Sequence, residues 1–309
     1  MKVVITGASG FIGGAFIRAL RSAMPNVDVV ALASSTSSAE GIRSKWPDME
    51  VAPLRRGDAS VNEEALRDVN VLVHAAWSTV PSTAARDPKA DLEQNVEFGL
   101  GLMDAAGRAG IGRFVFLSSG GTVYGDPLVL PIDEAHPTRP VTAYGASKLC
   151  FEQYLRTRAA HHGFEQVVLR PANVYGNEAG ATKPQGVIEH WITCIATGRP
   201  IAVWNGLEVR RDYLHVDDLV DVLLRAMTAP VAGRTLNIGT GVGTSLAELL
   251  ELLQQITGKE IQVHHRGTSP NGSPANVLDA RACRELLSWE PKVSLPAGVE
   301  HLWSVLRNT

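Results

Sequence analysis

Val3-Val4-Ile5-Thr6-Gly7-Ala8-Ser9-Gly10-Phe11-Ile12-Gly13 is the stretch on which the fold turns. A short β-branched run gives way to Gly7, Gly10 and Gly13. Ile12, Phe16, Ile17 and Leu20 then recur at helical spacing. Strand, glycine turn and helix N-terminus in that order let backbone N–H groups receive a pyrophosphate at close range. The same glycines can also make an ordinary tight turn, so the rest of the chain has to arbitrate.

Working outward, Asp28–Leu32, Val71–His74, Phe114–Ser118 and Gln166–Arg170 read as further core strands. They alternate with helical patterns such as Leu92, Val96, Leu100 and Met103. This alternation predicts an α/β protein with a doubly wound parallel sheet of Rossmann type. Residues 176–204 interrupt it, with Gly, Pro and Lys leading into an apolar helix over Val187–Ala196. Arg211–Asp218 then begins a strand and a helix, Thr235–Gly239 reads as a strand, and Ser245–Thr257 and Ala280–Leu287 read as helices. The expected organisation is a dinucleotide-binding domain over 1–173, to which the chain returns around 212–240. A smaller α/β substrate-binding lobe takes up most of 174–309, with a mobile rim at Gly267–Pro274.

The 309 residues include 29 basic and 32 acidic side chains, a net charge of -3. No basic field argues for nucleic acid, no polybasic run argues for a membrane surface, and no stretch is long enough to span a bilayer. The opening apolar run stops at Thr6-Gly7, so no signal peptide is expected. Cys150, Cys194 and Cys283 are isolated, which suits reduced thiols, a cytoplasmic location and no metal site.

For a dinucleotide, the glycine loop with Phe11 and Ile12 is the expected pyrophosphate site. Asp58 after an extended run, and His74-Ala75-Ala76 at a strand end, suit contacts to adenine and ribose. The second strand ends in Ser34-Ser35, without the acid that NAD-preferring sites place against the ribose 2′-hydroxyl. Ser34 and Ser35 can accept a 2′-phosphate, with Arg43 to balance its charge, so NAD and NADP both stay open.

Tyr144 and Lys148 stand four residues apart, on one helix face, where an ammonium can favour a phenolate and make the phenol a base. Such pairs also occur on inert helices. The strand ending Leu117-Ser118-Ser119-Gly120-Gly121-Thr122-Val123-Tyr124-Gly125 brings hydroxyls to the carboxyl edge of the sheet, where ligands sit in open α/β folds. A hydroxyl donor beside a phenol base makes a ketone–alcohol redox site.

With these motifs the chain resembles the extended short-chain dehydrogenase/reductases of the NAD-dependent epimerase/dehydratase family. The matches run in family order from Met1 to about Leu306. They add Asn95, Arg170-Pro171-Ala172-Asn173-Val174-Tyr175-Gly176 and Arg211-Asp212-Tyr213-Leu214-His215-Val216-Asp217-Asp218. The resemblance implies that Tyr144 takes a proton from a sugar hydroxyl and that Lys148 also bonds the nicotinamide ribose. It further implies that Ser118, Asn95 and Pro171 border the cofactor, and that Trp77, Asn173 and Arg211 contact a nucleotide sugar.

The family's catalytic Ser or Thr aligns with Gly120. Thr122, two residues on in an extended segment, is the preferred substitute, with Ser119 and then Ser118 as fallbacks. The resemblance implies a phosphate-binding arginine a few residues before Asn276-Val277-Leu278-Asp279, and Arg266, somewhat far upstream, is assigned that role. The expected activity is a nucleotide-sugar 4-epimerase, with an NADPH-dependent 4-keto-6-deoxysugar reductase as the alternative and a non-catalytic dinucleotide sensor as a remote one. A dehydratase is disfavoured because Gly121 and Thr122 occupy the place of its Asp-Glu pair. A homodimer is expected through helices containing Leu92–Met103 and Tyr144–Leu155.

Overall fold

The computed structural model describes residues 1–55, 59–177, 186–267 and 273–307. Gly57, Asp58 and the interior of the Gly267–Pro274 loop lie outside the described residues. The chain forms two compact units. One is Met1–Val123, Pro140–Arg170 and Val220–Leu236; the other is Tyr124–Arg139, Pro171–Leu219 and Asn237–Thr309.

In the first unit lie strands β1 (Lys2–Thr6), β2 (Asp28–Ala33), β3 (Glu50–Pro53), β4 (Val71–His74), β5 (Arg113–Leu117) and β6 (Glu165–Pro171), the last ending at the unit's boundary. The second unit holds β7 (Asn173–Tyr175), β8 (Ile201–Val203), β9 (Arg210–His215), β11 (Gly243–Ser245), β12 (Val263–His265) and β13 (Ala275–Asn276). The strand β10 (Thr235–Ile238) starts in the first unit and ends in the second.

The central sheet runs β10-β6-β5-β4-β1-β2-β3, with parallel register from β3 through β6. Strand order reverses between β1 and β4, and that switch point is where ligands enter doubly wound sheets, at the carboxyl ends of the strands. Val3, Val4 and Ile5 are fully buried because helices cover both faces, which is why β1 is continuously apolar rather than alternating.

Helices take their positions from local chemistry. Thr142 caps the helix Ala143–His162 by accepting from Gly145 N at 3.1 Å, and Gly163, at φ 82°, ends it. Tyr144 therefore sits in the first turn and Lys148 one turn later. Leu92 departs from the expected stripe. A π-helical turn over Leu92–Glu97 shifts the helical phase, so Val96 and Met103 are buried while Leu92 is 48% exposed.

In the second unit β9 pairs with β7 and β13 in parallel and with β11 in antiparallel register, and β8 pairs with β12. Trp191, Ile192, Leu249, Leu253, Leu302 and Trp303 belong to its core.

Candidate functional site

The glycine loop packs its own backbone so closely that it leaves no room for side chains. Gly7 has φ 80°, and a Cβ there would lie 2.7 Å from Ala76 N; one on Gly13 would lie 2.1 Å from Gly7 O. Gly10 N donates to Gly7 O at 2.9 Å, and Ala76 N donates to Thr6 Oγ1 at 3.2 Å, tying the loop to the end of β4. Beside this loop lies a cavity of about 270 Å³ whose walls include Gly7, Gly10, Ser34, Ala75, Trp77 and Asn95. Of the residues assigned to a dinucleotide, Ala76 also lines it, whereas Phe11 and Ile12 open the helix Phe11–Ala23 without lining it. A tight glycine turn, a helix N-terminus and a polar-lined cavity beside them fit a dinucleotide.

Ser34 is shared with a second concavity, whose lining also holds Ser35, Thr36, Arg43 and Arg55. Ser35 is the N-cap of the helix Thr36–Lys45, accepting from Ser38 N at 3.1 Å, so its hydroxyl is partly committed. Sequence reading found Arg43 here and missed Arg55.

Lys148 and Glu152 occupy the buried stripe of their helix together with Phe151, Leu155 and Ala159, positions where apolar residues are the norm. Lys148 is only 4% exposed. Its Nζ donates to Leu117 O at 2.7 Å and lies 3.9 Å from the centroid of the Trp77 ring. Burial pulls this ammonium down to about 7, against the opposing charges of Glu152 and Asp91. Glu152 accepts from Arg170 Nη2 at 2.5 Å and from the Ser118 hydroxyl, so Ser118 is already engaged.

Tyr144 differs from the expectation of an acidified phenol. Burial, and then the charge of Asp91, push its pKa upward. The Lys148 ammonium is 5.8 Å from the Tyr144 ring centroid and is engaged by Leu117 O and Trp77, so the protein alone keeps the phenol protonated.

Thr122 also needs a correction, because its segment is not extended. Thr122 N and Val123 N both approach Ser119 O, at 3.3 and 3.2 Å, so the chain turns directly after β5 across Gly120-Gly121. The turn nevertheless abuts the helix Ala143–His162, since a Cβ on Gly145 would lie 2.5 Å from Thr122 O. The Thr122 hydroxyl is buried and has no partner among the described residues. Ser119 is partly buried in the same turn.

Asp91 escaped sequence reading. It is fully buried; its Oδ1 accepts from Asn95 Nδ2 at 3.0 Å and from the Thr79 hydroxyl, and Oδ2 has no partner among the described residues. Asn95 Oδ1 in turn accepts from Ser78 N at 2.8 Å. The i,i+4 spacing of Asp91 and Asn95 was the available signal.

Within the second unit, Asn173 Nδ2 donates to Asp212 O at 3.2 Å, and Arg211 Nη1 donates to Arg210 O at 2.8 Å. Burial lowers the Arg211 pKa. Tyr213 shares a strand face with Arg211 by the period of two, and its buried hydroxyl has no partner among the described residues. Sequence reading passed it over. Arg266 is exposed just after β12, its N bonded to Val203 O at 2.9 Å, and Pro171 is buried at the end of β6.

Among the described residues no cluster suits a metal, and no helix is long and apolar enough to cross a membrane.

A UDP-glucose 4-epimerase of Azospirillum brasilense is 34% identical over 314 residues, covering 94% of this chain and 87% of that protein. The solved UDP-glucose 4-epimerase of Thermotoga maritima with UDP-glucose has a TM-score of 0.91 and 29% identity, covering 100% of this chain and 99% of that one. The Thermus thermophilus UDP-glucose 4-epimerase in complex with NAD has a TM-score of 0.87 and 28% identity, covering 100% of both chains. The glycine turn and the helix that bears Tyr144 and Lys148 lie within residues 3–239, which match the NAD dependent epimerase/dehydratase family, and the chain belongs to that family.

Proposed function

We propose that this protein is a nucleotide-sugar 4-epimerase that uses a nicotinamide dinucleotide, with Tyr144 as its base. The observation that carries the reading is the Lys148 ammonium, buried one helical turn from Tyr144 and over the ring of Trp77, which also lines the cavity next to the glycine turn. The epimerases with UDP-glucose and with NAD support the same assignment.

Gly7, Gly10, Gly13, Ala75, Ala76 and Asn95 would hold the dinucleotide, with Ser34 and Ser35 at its adenosine end. When bound, the nicotinamide accepts and returns a hydride and adds positive charge. Tyr144 takes the C4 hydroxyl proton at its phenolic oxygen and returns it, and Lys148 steadies the phenolate. Thr122 donates to the sugar oxygen in place of the absent side chain at Gly120, with Ser119 as second choice. Asn173 and Arg211 offer an amide and a guanidinium to phosphate oxygens, chemistry that suits a pyrophosphate; Trp77 and Arg266 are also assigned to the substrate.

The test is conversion of UDP-glucose, and of a panel of GDP-, dTDP- and CDP-sugars, by the full chain, together with a measurement of cofactor that stays bound through gel filtration. Stoichiometric NAD and an epimerised product support the epimerase. A second reading, an NADPH-dependent 4-keto-6-deoxysugar reductase, is favoured by one feature: Arg43 and Arg55 line the concavity next to Ser34, where no acid among the described lining residues opposes a 2′-phosphate. Freely exchanging NADPH and a singly reduced product would replace the first reading with this one. We also place the protein in the cytosol as a homodimer.

A further inference from the structure

Lys148 is held by groups from several elements. Leu117 O reaches it from the end of β5, and the ring centroids of Trp77 and Phe116 lie 3.9 and 4.9 Å from its Nζ. Asp91, on the helix Pro88–Asp91, and Glu152, one turn further along its own helix, oppose the loss of its proton, and Tyr144 lies one turn before it. His74 on β4 stays neutral, its pKa driven down to about 3 by burial and then by the Lys148 charge.

Glu152 is neutralised by Arg170, Asp91 acts on Lys148 without an ion pair to it among the described residues, and the Leu117 carbonyl carries no net charge, so none of the three holds the ammonium as a contact counter-ion. Trp77 is placed differently. Its ring stands edge-on to Tyr144 at 6.1 Å, it forms part of the dinucleotide cavity wall, and its face is turned to the ammonium. Its indole N–H is buried with no partner among the described residues, so hydrogen bonding does not explain its presence.

We propose that Trp77 is a positioning residue for proton transfer, its indole face holding the Lys148 ammonium in place and charged beside Tyr144. A cation over a desolvated indole is attracted by the negative face of the ring, and tryptophan is the strongest side chain for this. The role is distinct from the substrate contact assigned to Trp77 above, and it rests on Lys148 acting as that reading describes. Removing the face leaves the ammonium with less support against burial, so its proton is lost at lower pH.

The experiment follows the Lys148 Cε resonance against pH in the full chain labelled with ¹³C-lysine, with and without added NAD, and assigned by its loss in Lys148→Met. In Trp77→Leu the midpoint is expected to fall by about half to one unit, with Trp77→Phe in between. Fluorinated tryptophans, which weaken the ring face without changing its shape, should lower the midpoint stepwise in the parent and leave it fixed in Trp77→Phe. In turnover, the alkaline limb of kcat should move down with the midpoint while KM for the nucleotide sugar changes less. An unmoved midpoint in Trp77→Leu, or a fluorine effect that persists in Trp77→Phe, overturns the proposal. If Trp77→Leu does not fold, the fluorotryptophan series decides alone. The resonance needs no substrate, so it reads this role even if the epimerase reading fails.

Discussion

At the residue scale the decisive groups are buried charges. Lys148, Asp91 and Glu152 sit where apolar side chains would cost less, and only Glu152 has a counter-ion at contact distance. Lys148 titrates near 7 in the fold against 10.5 ordinarily, so between those values the unfolded chain binds more protons and stability rises with pH. Compared with Lys148→Met by urea unfolding, the wild type is expected to gain on the order of 2–4 kcal/mol between pH 7 and 10. A flat difference between the two proteins would show that the ammonium is not desolvated. Tyr144→Phe should lower kcat by about 10²-fold or more while leaving the fold intact, because under the proposed function it removes only the proton carrier; full turnover in that variant would end both enzymatic readings.

At the element scale, the first turn of the helix Ala143–His162 is set by Thr142 and by the missing side chain at Gly145. A methyl on Gly145 would meet Thr122 O at 2.5 Å and Pro140 Cβ at 3.1 Å. Gly145→Ala must therefore push the Thr122 turn away from Tyr144, with a stability loss of about 1–3 kcal/mol by thermal unfolding and a larger proportional loss in kcat than in KM. Thr142→Ala, by contrast, removes only the cap and should cost about 1 kcal/mol. The π turn at Leu92–Glu97 is a different device. It turns Asn95 and Asp91 inward and Leu92 outward, a change of phase that a 3.6-residue pattern read from sequence does not contain.

At the scale of the whole molecule, Leu102, Met103, Phe151 and Leu155 are spent on the internal core, so they are not available to a partner. Leu92 at 48% and Tyr154 at 42% exposure remain on the outer side of the same helical layer, and these support the homodimer proposed above. Light scattering should give twice the 33.1 kDa chain mass, and Tyr154→Lys together with Leu92→Lys should return a monomer. A monomeric wild type would discard the dimer.

The sequence determined the central sheet apart from its edge strand β3, and most of the helices, because β-branched runs, glycine punctuation and capping residues act locally and leave their signal in consecutive residues. It also determined which helix carries Tyr144 and Lys148, since four residues of spacing fix a shared face. The tertiary structure decided what those side chains experience. Desolvation raised the Tyr144 phenol where spacing alone suggested a lowered one. The turn at Gly120-Gly121 replaced an extended segment, and Trp77 and Asp91 came to Lys148 from distant parts of the chain. Burial and long-range proximity depend on the whole packed unit, so no local pattern in the sequence encodes them.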